Sequence, residues 1–202
     1  MQRILLRAFA LATTLAVVIT AIGTAADPAP ASASAEESRF VLTVFPHLTE
    51  DVGFSNSWGA LRSGGRRHQG TDIMSPRGTA IVAVADGVIT KLGKSRLSGY
   101  YIRVEHRDGW ATSYLHLNND TFGTDDGEGG VWTAFYPTLM EGDEVRAGEV
   151  IGYVGDSGNA EHTRPHTHFE IKHDGKKMNP YRFLREVLKR EQRFPDATDR
   201  PI

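Results

Sequence analysis

The spacing of apolar positions changes three times along the chain. Residues 8–22, AFALATTLAVVITAI, form a largely apolar, uncharged run behind Arg3 and Arg7. Further on, short runs rich in Val, Ile, Tyr and Thr alternate with glycines: TAIVAVADGVITKLG, YYIRVEHRDG, WATSYLHL and EVIGYVGDSG. That rhythm predicts strands joined by turns. Arg107-Asp108-Gly109 predicts a tight hairpin between YYIRVEH and WATSYLHL. Helical spacing appears late, where Phe183, Leu184, Val187 and Leu188 share one face of residues 179–192. Asn179 is a suitable cap and Pro180 suits the first turn. These patterns predict a mainly β fold, antiparallel, closed by a short C-terminal helix. No internal repeat of fixed period is present.

The first apolar run is shorter than the ~20 residues that span a bilayer. It is followed by GTAADPAPASASAEES, which contains small-residue cleavage patterns ending at Ala26 and at Ala35. A charged start, an apolar stretch and such sites describe a secretory signal peptide over 1–35. An uncleaved membrane anchor is the alternative, and both put the remaining chain outside the cytoplasm. We read 36–55 as a lead-in, 56–190 as the domain, with 118–140 inserted at the rim of a groove, and 191–202 as a tail.

Composition narrows the chemistry. The formal charge is -2 and there is no basic stripe interleaved with aromatics, so nucleic acid is not an expected partner. The 202 residues include no cysteine, so disulfides are excluded and any metal must be held by His, Asp or Glu.

Several of the eight histidines fall into patterns. His68 and Asp72 lie four apart in RRHQGTDIMSP, where flanking glycines and Pro76 favour extended chain. In that geometry both face one way, with Gly70 between them leaving space for an ion. His166 and His168 in HTHFEI share one face of a strand, while Thr167, Phe169 and Ile171 face the other way. Alone, this pair fits metal ligands or surface residues equally well. His116 in SYLHLN is expected to share a face with Tyr114, opposite Leu115 and Leu117. Two histidines and a carboxylate would leave one position of a tetrahedral zinc site open, the catalytic pattern. Further histidines would serve proton transfer. His47, His106, His162 and His173 have no motif around them.

Taken in order, H-x-x-x-D, Y-L-H-L and H-x-H resemble the lysostaphin-type and LytM-type zinc endopeptidases of the M23 family. WGALRSGGRRHQGTDI, GTAIVAVADGVI and EGDEVRAGEVIGYVGDSGN extend the likeness over residues 56–182. The resemblance implies that His68, Asp72 and His168 bind Zn²⁺ and that His116 and His166 are catalytic. It implies an antiparallel β groove, hydrolysis of peptide bonds in peptidoglycan cross-links or stem peptides, and a regulatory cell-wall partner in some relatives. Other relatives lack these residues and activate cell-wall amidases, so a non-catalytic peptidoglycan-binding module is the alternative function. In some relatives an asparagine from a preceding segment blocks the metal; Asn56 occupies such a segment. AVADGVITKLG and EGDEVRAGEVIGYVG also resemble biotinyl and lipoyl carrier hairpins, a reading opposed by the leader and Asp72.

Overall fold

The computed structural model describes residues 40–193. The leader expected over 1–35 and most of the expected tail lie outside them. The strands follow the predicted rhythm: β1 Thr71–Met74, β2 Ala80–Val82, β3 Gly87–Ser95, β4 Gly99–Glu105, β5 Trp110–Leu117, β6 Glu144–Val145, β7 Val150–Tyr153, β8 His166–His173 and β9 Lys176–Met178. Two α-helices accompany them among the described residues, α1 Val131–Ala134 and α2 Tyr181–Arg193. The expected mainly antiparallel β fold with a C-terminal helix is what the chain adopts.

The large sheet runs β1-β8-β5-β4-β3-β6, with β9 also paired to β8, and every pairing is antiparallel. β2 and β7 form a smaller sheet. β4 and β5 are joined by the hairpin at Arg107-Asp108-Gly109, where Asp108 and Gly109 take the left-handed conformation. One face of the large sheet is apolar. Ile89, Ile102, Val104, Tyr114, Phe169 and Ile171 are buried there, together with Leu184 and Val187 of α2. Burial of each such aliphatic side chain stabilises the fold by about 1.5–3 kcal/mol. The Asn179 side chain accepts the Tyr181 N–H at 3.0 Å and caps α2, the role expected of it.

The domain begins earlier than the sequence suggested. The segment read as a lead-in buries Leu42 and Phe45 in the core, and the Phe45 N–H donates to Glu191 at 2.8 Å. Phe40 stacks on Trp110 at 4.8 Å, and Trp110 stacks in turn on His173 at 4.2 Å. Residues 40–55 carry no strand, so no periodicity could announce that they fill the core. α2 likewise continues beyond residue 190.

Residues 118–140 are fixed from below by one arginine. Arg77 pairs with Asp120, with both oxygens of Asp156 (2.6 and 3.0 Å) and with Asp125 at 2.8 Å. The three carboxylates are close enough together to suggest a cation site, and the guanidinium fills that place. Of the insertion's aromatics, Phe135 packs against Tyr100, whereas Trp132 and Tyr136 face solvent.

Candidate metal centre and groove

Sheet order brings distant histidines together. β8 lies between β1 and β5, so its groove face, His166, His168 and Glu170, has neighbours on both sides. Asp72 on β1 is the register partner of His168, and Leu115 on β5 is the partner on the other side. Thr167, Phe169 and Ile171 point into the core and are fully buried. The two-residue period of the strand therefore separates ligand chemistry from packing within one segment.

His68 Nε2, Asp72 Oδ1 and His168 Nδ1 form a nearly equilateral triangle with edges of 3.0, 2.9 and 2.9 Å. The far nitrogens of both rings are already committed. His68 Nδ1 faces the carbonyl oxygen of Ser57 at 3.1 Å and its hydroxyl at 2.9 Å. A carbonyl can only accept, so Nδ1 carries the proton and Nε2 offers a lone pair. His168 Nε2 lies 3.3 Å from Glu170, which places its proton there and leaves the Nδ1 lone pair free. The second oxygen of Asp72 accepts from Arg62 at 2.5 Å, so Oδ1 is the one that faces the rings. With both rings neutral, three acceptors converge with no donor between them, so without a cation a second proton on His168 is what relieves them, donated to Asp72. Such a set is satisfied by a cation, and imidazole plus carboxylate is a donor set that suits zinc.

The electrostatics agree. Burial alone would raise the pKa of Asp72, but hydrogen bonds with His168 and His68 outweigh it and hold the carboxyl well below the usual range. Burial also opposes charge on His168; hydrogen bonds to Asp72 and Glu170 override it and raise the ring's proton affinity. A site that favours a proton between these groups favours a metal cation for the same reason. Lys177 meets Glu170 at 2.6 Å and completes the outer ring of contacts. Such outer partners orient metal-binding imidazoles.

Gly70 has a specific task. A Cβ there would lie 2.5 Å from His168 Nε2 and 2.7 Å from the Phe169 carbonyl oxygen. The room that glycine was expected to leave is occupied by the His168 ring. His68 itself sits just ahead of β1, off the strand.

His116 reaches the groove by a different route from the one expected. Tyr101 pairs with Leu115 and Tyr100 with Leu117, so His116 is an extra, bulged residue at φ 62°. The bulge breaks the alternation: Tyr114 and Leu117 are both fully buried in the core, and Leu115 and His116 both line the groove. Sequence reasoning put Tyr114 on the face of His116 and Leu115 with Leu117; the bulge reverses both. His116 Nδ1 donates to the Ser157 carbonyl at 2.9 Å, and His166 Nδ1 donates to the Arg164 carbonyl at 2.8 Å. Each ring therefore keeps its Nε2 lone pair. The two ring centres are 5.2 Å apart, and His116 is 6.1 Å from His168. Burial pushes the His116 pKa down to about 4, the Ser157 carbonyl only partly offsetting it, so the ring is neutral at pH 7.

All five residues singled out in the sequence line one open groove of about 680 Å³. None of residues 118–140 lines it. Phe122 and Asp125 line a separate depression beside Arg77. Asn56 hydrogen-bonds Asn179 at 3.1 Å and takes no part in the triangle. Sequence reasoning missed Ser57, Arg62, Glu170 and Lys177. Glu170 had a signal, since it stands two residues beyond His168 on the same strand face; Ser57, in irregular chain, had none.

The chain is thus an antiparallel β domain with a groove floored by a His-Asp-His triangle whose donors suit a metal ion. Residues 66–180 match the model of peptidase family M23, and the chain belongs to that family. Over 115 residues it is 38% identical to the DD-carboxypeptidase/endopeptidase Mpg of Neisseria meningitidis serogroup B, covering 57% of this chain and 22% of that protein. Over 130 residues it is 35% identical to the murein hydrolase activator NlpD of Escherichia coli K12, covering 63% of this chain and 28% of that one. The chain thus spans between a fifth and a third of the length of these curated relatives. A crystal structure of the lytM protein of Ruminococcus gnavus superposes with a TM-score of 0.57 at 29% identity, covering 74% of this chain and 61% of that one.

Proposed function

We propose that this protein is an extracytoplasmic zinc endopeptidase that hydrolyses peptide bonds in peptidoglycan cross-links or stem peptides. The observation that carries the proposal is the convergence of three lone pairs, from His68, Asp72 and His168, beside two further imidazoles with free Nε2 atoms. The leader read from residues 1–35 carries the export reading. The peptidase family and the name of the Neisseria relative support the substrate class.

His68, Asp72 and His168 would hold the zinc. Bound there, zinc supplies Lewis-acid polarisation of a carbonyl and acidifies water. The protein's own groups do the rest. His116, neutral at pH 7, offers a lone pair to the proton of an attacking water. His116, once it holds that proton, can pass it to the leaving amine, and His166, across the groove, can donate to the developing oxyanion only when its Nε2 is protonated as well. Glu170 and Ser57 keep the ligand rings in their metal-binding tautomers, and Arg62 holds the orientation of Asp72.

Purified protein loaded with zinc should release peptides from peptidoglycan, detected by mass spectrometry. A chelator should stop the release and added zinc restore it. The double variant His116→Ala, His166→Ala should retain zinc, read by metal analysis, while turnover falls by at least about 100-fold. Undiminished hydrolysis by that variant would refute the mechanism. The likeness to an activator gives a second reading, in which the groove holds peptide and stimulates another hydrolase. That reading predicts no chelator-sensitive cleavage by the protein alone.

A further inference from the structure

The groove carries an uneven charge. Its lining includes four cations, Arg62, Arg66, Arg67 and Lys177, and two carboxylates, Asp72 and Glu170. Arg62 is engaged by Asp72 at 2.5 Å and Lys177 by Glu170 at 2.6 Å. Arg66 and Arg67 remain. Arg66 donates to the Ser63 carbonyl at 3.2 Å and its hydroxyl at 3.3 Å, and Arg67 to the Gly59 carbonyl at 3.0 Å. These are neutral acceptors, and among the described residues neither guanidinium has a carboxylate partner. The excess is local, because the whole chain carries a formal charge of -2.

The two arginines are held by a defined element. Residues 59–68 fold back on themselves: Gly59 N–H donates to the His68 carbonyl, His68 N–H to Ala60 and Arg62 N–H to Arg66, each at 2.8 Å. Leu61 and Arg67 form a bridge, and Gly64 makes the reversal at φ 71°. This small hairpin leads directly into the candidate ligand His68. Arg67 is therefore next to His68 in the chain and lines the same groove, with its guanidinium anchored on the Gly59 carbonyl.

We propose that this hairpin is a carboxylate-recognition site, in which Arg66 and Arg67 select acidic peptides for the groove. The inference rests on the endopeptidase reading and sharpens its substrate class. Cross-linked stem peptides built on D-glutamate and a diamino acid keep free carboxylates near their cross-links, whereas oligoglycine bridges offer neutral amides alone. A guanidinium recognises a carboxylate through two parallel hydrogen bonds, which an amide cannot reproduce. Both arginines are exposed, so each pair contributes modestly; together they select by about tenfold.

The test uses cross-linked peptides of one covalent skeleton, with their stem carboxylates free or amidated, and the zinc-loaded full chain. The free form should be cut with a kcat/KM about tenfold higher, mostly through KM, and high salt should narrow the gap. In the R66Q/R67Q variant the ratio between the two peptides should fall towards one, while R66K/R67K should keep part of it. Equal kcat/KM for the two peptides, a pentaglycine peptide cut as well as the acidic one, or discrimination surviving in R66Q/R67Q would each overturn the proposal. Calorimetric binding of the same peptides to the His116→Ala, His166→Ala protein separates the two ideas. If neither peptide is cut by the unaltered protein but the acidic one binds more tightly, the hydrolase reading fails and the recognition site stands.

Discussion

At the scale of single residues, His116 occupies a costly position. It is the bulged member of β5, in a left-handed conformation that an L side chain adopts at about 1–2 kcal/mol. Strain of this kind persists where the surrounding structure enforces it, and here the Ser98 and Ser157 carbonyls pin the backbone and ring at 2.9 Å each. Removing the ring by two routes separates strain from function. His116→Gly should be about 0.5–1 kcal/mol more stable than His116→Ala in urea unfolding, since glycine accepts the bulge freely. Both should lose turnover to a similar extent. Equal stabilities would show that the bulge relaxes when the ring is lost. The same residue marks where the sequence stopped being legible. The identity of His116 could be read from Y-L-H-L, but its direction could not, because alternation assumes an unbroken ladder. Nothing in SYLHLN signals the extra residue.

At the scale of elements, β1 and β8 behave as one unit. Asp72 faces His168 in register, and the missing side chain of Gly70 leaves the room that the His168 ring occupies. Gly70 does not have a positive φ, so alanine suits its backbone, yet the new Cβ must displace both the His168 ring and the Phe169 carbonyl, and Gly70→Ala should fold at some cost in stability. Zinc affinity, measured by competition with a chromophoric chelator, should fall at least about tenfold, with circular dichroism unchanged. Unchanged affinity would mean that His168 has another rotamer able to bind. Here the sequence was informative. H-x-H on a strand fixes both rings to one face and sends Thr167, Phe169 and Ile171 to the other, as the structure has them. The two-residue period also reached Glu170, though it was not followed that far. Residues 40–55 were opaque for the opposite reason. Leu42 and Phe45 fill the core from irregular chain, where burial leaves no periodic trace.

At the scale of the whole molecule, support for the groove comes from the opposite side of the sheet. His47 is buried behind β8, where its ring nitrogens meet Ser75 at 2.6 Å and Thr167 at 3.0 Å. Burial pushes its pKa down to about 3. The unfolded chain takes up a proton near pH 6.5 and the folded one does not until about pH 3, so stability is full above pH 6.5 and is lost as pH falls through that window. Metal-free protein should lose about 2 kcal/mol between pH 7 and pH 5 from this group, read by urea denaturation. His47→Gln should be flatter over the same range. A parallel decline in both would assign the acid sensitivity elsewhere. The sheet order has a further consequence. His68 and His168 are 100 residues apart, and Asp72 and His168 are 96 apart, yet they touch. No fragment shorter than the span from His68 to His168 can assemble the triangle. A chain that stops short of β8 carries His68 and Asp72 without their third partner. Whatever chemistry the triangle supports is thereby withheld until β8 is paired with β1.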